Sequence, residues 1–135
     1  MLPWKQLGTA AIPGGGELRL MRRGEEFSIR LDANELMNSR LGGSEEALAT
    51  LACRKLEGHE RPRILIGGLG MGFTLRAALA VTDGKAAIEV AELVPEVVAW
   101  GRGEMAALYA GSLSPEQATA GMEWWLDATQ AVPST

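Results

Sequence analysis

Cysteine and histidine each occur once in this chain, no apolar run is long enough to cross a bilayer, and basic charge is nowhere concentrated. Each scarcity removes a class of function. One cysteine excludes an internal disulfide and any multi-cysteine metal site. Its neighbours Leu51, Ala52 and Leu56 place Cys53 on an apolar helix face, as a buried and unreactive thiol. His59 lies in the polar stretch EGHERPR without a second ligand at metal-binding spacing, so it reads as a solvated loop residue and no metal site is expected. The 13 Lys and Arg residues are scattered and the formal charge is −4, which lacks the basic footprint of a nucleic-acid binder. A membrane span needs a run of about eighteen apolar residues, and none exists. The N-terminus MLPWKQLGTA has no charged region followed by an apolar core. The expectation is a cytoplasmic protein with neither nucleic acid nor membrane as partner. Mild acidity suits a cationic substrate, but solubility is its simpler and favoured explanation.

With 135 residues, 47% of them hydrophobic, the chain can build one modest core. After the loop IPGGGE, Leu18 and Leu20, then Phe27, Ile29 and Leu31, alternate on either side of Arg23-Gly24, the pattern of a hairpin. A further turn at Asp32-Ala33-Asn34 predicts a third short strand through Leu36 and Met37. GGSEEALATLACRKLEG reads as a helix capped by Ser44, with Glu45 and Glu46 at its positive end, Leu48, Leu51, Ala52 and Leu56 on its apolar face, and Gly58 at its close. Ile64, Leu65 and Ile66 form a continuous apolar run, the mark of a strand buried on both faces. A helix from about Phe73 to Val81 and a second strand within Ala86 to Leu93 complete a βαβ unit. Pro95 opens another helix to about Ala110, weakened by Gly101 and Gly103. In the tail, Ser114, Pro115 and Gln117 carry a helix-start signature. Ala118, Met122, Trp125 and Leu126 can share one helix face, and no strand signal is visible.

The predicted architecture is therefore α/β: an N-terminal β-meander, a partial Rossmann-like βαβα unit and a C-terminal helix. Its divisions are residues 1–58 for the meander and first helix, 59–113 for the nucleotide-binding unit and 114–135 for the helical tail. A parallel sheet this small leaves apolar faces and an open edge, so a homodimer or higher oligomer is expected.

The chemistry concentrates in RILIGGLGMGFTLRAAL, residues 63–79. Glycines between a strand and a helix let the backbone approach a ligand, and the helix start offers free N–H groups. The dinucleotide fingerprint would put its third glycine where Phe73 stands, which disfavours nicotinamide and flavin cofactors. The helix opens GFTLR rather than GK[ST], which disfavours a nucleoside triphosphate. What remains is Gly68, Gly70 and Gly72, with Glu92 at the end of the next strand, where a carboxylate can take both hydroxyls of a ribose. The candidate ligand is a nucleoside.

RILIGGLGMGFTLRAAL followed by VAELVPEVVAWGR resembles the first two motifs of the spermidine synthase family, within the class I S-adenosylmethionine-dependent methyltransferase fold. LDANELMNSRLGGSEEAL resembles that family's LDG-type turn and YHEM-like helix start, so the resemblance spans about residues 18–110. It implies that Gly68, Gly70 and Gly72 line a site for S-adenosylmethionine or a decarboxylated or methylthio derivative, and that Glu92 binds its ribose. It also implies aminopropyl or methyl transfer once the fold is complete. The chain departs from the pattern with Ala33 and Leu36 where the family has glycine and glutamine, and with Ser44-Glu45-Glu46 in place of Tyr-His-Glu. The family pattern fades after Leu113, before the strand that carries the family's proton-accepting acid, so the catalytic half is expected to be missing and no catalytic residue is assigned. Two further readings stand beside this one: a catalytically inactive, truncated or oligomeric binding module, and a nicotinamide oxidoreductase that Phe73 disfavours.

Overall fold

The computed structural model describes residues 2–113 and the short strand Thr119–Ala120. Strands β1 (Lys5–Ala11), β2 (Glu17–Arg23), β3 (Glu26–Leu31) and β4 (Asn34–Asn38) form an antiparallel meander in sequence order. Gly24 and Asp32 take positive φ, 59° and 53°, at the turns that join β2 to β3 and β3 to β4. Leu20 pairs with Ile29 and both are fully buried, so the alternation in the sequence translates directly into an inner face.

β1 was not legible as a strand, since of its residues only Ala10 is buried. It joins β2 with a bulge between Gln6 and Gly8. A Cβ at Gly8 would stand 3.0 Å from Nε1 of Trp100. The missing side chain thus admits the indole and docks the meander on the helix that carries it.

The second half follows as α1 (Gly43–Arg54), β5 (Arg63–Gly67), α2 (Phe73–Val81), β6 (Ala87–Ala91), α3 (Pro95–Arg102), α4 (Ala106–Tyr109) and β7 (Thr119–Ala120). β5, β6 and β7 are parallel and adjacent in that order, with Ile64 opposite Ile88 and Ile66 opposite Val90. The expected two parallel strands are therefore three. β7 corrects the reading of the tail as free of strand, because two residues carry too little pattern to be seen in sequence. The expected helix over the rest of residues 114–135, including Met122, Trp125 and Leu126, lies outside the described residues.

Four other expectations are corrected. Gly42, not Ser44, stands at the N-cap of α1, and the Ser44 hydroxyl instead donates to Glu45 Oε2 at 3.0 Å. α1 buries Ala49 and Cys53, whereas Leu48 and Leu51 are 63% and 59% exposed. The small pair faces α2, where Leu75 and Ala78 are buried in turn, and lets the two helices approach closely. β5 is buried on one face: Ile66 is interior, but Leu65 is 55% exposed. Leu65 is paired with Glu89 on the opposite face of the sheet, which is left open among the described residues.

Gly103 ends α3 and separates it from α4, so the long helix expected to Ala110 is broken there. Cys53 is buried and burial pushes its thiol pKa up, as expected for an unreactive cysteine. His59 is exposed. Among the described residues no helix is long and apolar enough to cross a membrane.

Candidate functional site

The loop between β5 and α2 turns through three glycines of positive φ, Gly68 at 89°, Gly70 at 55° and Gly72 at 81°. These are values that side-chain-bearing residues adopt only with strain. Gly68 N–H donates to Ala91 O at 2.7 Å, which ties the loop to the carboxyl end of β6. Glu92 follows at once and is 9% exposed. Its Oε1 accepts from Leu69 N–H and its Oε2 from Val94 N–H, each at 2.9 Å. One carboxylate thereby holds the glycine loop and the start of α3 together, while each oxygen keeps further acceptor capacity.

Each glycine has its own neighbour. A Cβ at Gly68 would meet nothing within 4 Å. At Gly70 it would stand 3.1 Å from Met37 Sδ, so β4 reaches across to the loop. At Gly72 it would fall within the Tyr109 ring, which also packs on Gly101, where a Cβ would lie 2.8 Å from Cζ. Tyr109 is 1% exposed and its hydroxyl donates to Gly70 O at 2.7 Å. Burial, with the nearby Glu92 charge, pushes its pKa above the ordinary phenol range and keeps it a neutral donor.

Above this loop opens a cleft of about 370 Å³. The segment from β5 to α3 contributes Gly67, Gly68, Leu69, Gly70, Met71, Phe73, Thr74, Glu92 and Val97. The meander contributes Leu18, Ile29, Leu36 and Met37, and α1 contributes Glu45 and Leu48. Among the described residues, Glu45 and Glu92 are the only ionisable side chains in the lining. A polyphosphate would meet two carboxylates and no cation there, whereas a cationic or neutral nucleoside would not be repelled.

Of the residues singled out in the sequence, Gly68, Gly70 and Glu92 line the cleft together. Gly72 stands behind it against Tyr109 and is not in the lining. Phe73 lies over Gly42, where a Cβ would be 2.8 Å from its ring, so this aromatic substitution in the glycine pattern is absorbed by a glycine in another segment. Glu45 reaches the cleft, while Glu46 borders a shallow depression beside Phe73 and Arg76. Met37, Leu48 and Tyr109 were not readable as site residues, because their part depends on contacts between distant segments. Among the described residues no group of three or more His, Cys, Asp or Glu side chains is placed to hold a metal ion.

No protein-family model matches the sequence, and no curated protein sequence matches it. The fold is similar to the crystal structure of a probable spermidine synthase from Corynebacterium glutamicum ATCC 13032, with a TM-score of 0.58 and 16% identity. The superposition covers 84% of this chain and 43% of that one, so the chain spans less than half the length of this structural neighbour. The antiparallel meander, the helix and the parallel strands are thus consistent with part of a methyltransferase-like fold.

Proposed function

We propose that the cleft binds a sulfonium nucleoside, S-adenosylmethionine or its decarboxylated or methylthio derivative, with the nucleoside against Gly68, Gly70 and Glu92. The observation that carries this reading is the pairing of Glu92 with the loop: the carboxylate that accepts Leu69 N–H also lines the cleft that Gly68 leaves open. In the proposed complex the ribose hydroxyls donate to the remaining lone pairs of Glu92, and the base and sulfur lie along apolar walls. Gly72 contributes indirectly, by giving Tyr109 the room to hold the loop.

Aminopropyl or methyl transfer extends the proposal by likeness to the fold neighbour, of which this chain matches 43%. A second reading, a nucleoside-binding module without turnover, is favoured by one observation. Glu92 is engaged by two backbone amides, which leaves Glu45 as the sole other ionisable group in the lining among the described residues.

Isothermal titration calorimetry on the purified chain tests nucleoside binding. Saturable binding of S-adenosylmethionine or methylthioadenosine, not displaced by NAD, is expected; absence of binding by all these nucleosides overturns the reading. Incubation with nucleoside and amine, followed by product analysis, separates an enzyme from a binding module.

A further inference from the structure

α1 turns one side to α2 and the opposite side to water. Ala49 and Cys53 are buried on the inner side. At about 100° per residue, Ser44, Ala47, Leu48, Leu51 and Lys55 fall on one outward stripe that runs the length of the helix, and all five are exposed. A helix that faces only water carries polar residues there, whereas this one sets two leucines one turn apart at the centre of the stripe. The ends of the stripe differ in charge. At the N-terminal end the Ser44 hydroxyl donates to Glu45 Oε2 at 3.0 Å, which holds the carboxylate beside the stripe. At the other end Lys55 has no acidic partner among the described residues, and Glu45 has no basic one.

We infer that this stripe packs on the same stripe of a second copy of the chain, antiparallel, about a two-fold axis midway between Leu48 and Leu51. The charges select the direction. A parallel pair would set Glu45 against Glu45 and Lys55 against Lys55, whereas the antiparallel pair places each Glu45 opposite the partner's Lys55 at both ends of the seam. Leu48 and Leu51 of the two copies interdigitate at the axis, and Ala47 lets the helices approach to about 8–10 Å. The association expected from an open parallel sheet is thereby assigned to a helix. It also reaches the cleft, because Glu45 and Leu48 belong to the cleft lining as well as to the seam. The partner's Leu51 and Lys55 cover the α1 side of the cleft, whatever ligand the glycine loop holds.

Sedimentation equilibrium of the purified chain tests it. A reversible dimer in the micromolar range is expected. Leu51→Glu, at an exposed helical position, sediments as a monomer with an unchanged circular dichroism spectrum, because the seam would bury two unpaired carboxylates. Glu45→Lys and Lys55→Glu each raise the dissociation constant about tenfold, since both ends of the seam then bring like charges together. The double exchange Glu45→Lys with Lys55→Glu recovers the parent value. A monomer at every concentration, a dimer that Leu51→Glu leaves intact, or a double exchange no tighter than the single variants each overturns the inference.

Discussion

The Tyr109 hydroxyl donates to the Gly70 carbonyl at 2.7 Å, while its ring fills the place where a side chain at Gly72 would begin. A residue thirty-nine positions downstream thus sets the shape of the glycine loop. Arg76 reinforces the arrangement by donating through Nη1 to Leu108 O at 2.6 Å, which joins α2 to α4.

Two glycine substitutions should therefore differ in kind. Gly72→Ala combines a φ of 81° with a clash against a buried ring and should cost about 3 kcal/mol of stability. Gly68→Ala has a similar φ cost but meets no atom within 4 Å, and should cost about 1 kcal/mol. Urea denaturation midpoints of the two variants check the order. Equal losses would remove the distinction between a packing glycine and an open one.

Tyr109→Phe keeps the ring and removes the hydrogen bond, with an expected loss of about 1 kcal/mol; Tyr109→Ala also leaves a cavity and should lose about 3–5 kcal/mol. The folded-state pKa of Tyr109 lies above its unfolded value. Its neutral form therefore contributes stability that is fully present below about pH 10, the unfolded phenol value, and is lost as pH rises beyond it. Because it is the sole tyrosine, absorbance titration reads it without overlap. Phenolate should form only as the protein unfolds, and Tyr109→Phe should flatten the alkaline fall in stability.

The acid limb has a different origin. Glu35 accepts from the Ser28 hydroxyl at 2.6 Å and from Asn38 Nδ2 at 2.8 Å. These bonds, aided by Arg30 and Arg40, hold its pKa below the ordinary carboxylate value. The contribution is present above about pH 4.3, the unfolded Glu value, and is lost as pH falls through the lower folded value. Glu35→Gln should be less sensitive to acid than the parent in pH-dependent melting. Glu35→Ala leaves the fully buried Ser28 hydroxyl without its acceptor and should cost about 1–2 kcal/mol.

What could be read in the sequence followed from whether one segment carried its own pattern. Leu18, Leu20, Phe27 and Ile29 alternate within their strands and were recognisable as a hairpin face. Glu92 was found because strand, loop and acid are close in sequence and their spacing is fixed by a parallel pair. β1 was missed because KQLGTAA buries a single alanine and owes its position to β2 and to the Trp100 indole. The face of α1 was misassigned because leucines outweigh Ala49 and Cys53 in any periodic reading, while close approach to α2 selects the small residues. Tyr109 and Met37 act on the glycine loop from distant segments, so no local pattern announces them.

Amide chemical shifts recorded as S-adenosylmethionine is titrated into isotopically labelled protein test the central claim most directly. Saturable shifts centred on Gly68, Leu69, Gly70 and Leu93, absent in a folded Gly68→Val variant, are predicted. Saturation with shifts confined to other parts of the chain, or no shifts at high nucleoside concentration, would contradict the assignment of this cleft.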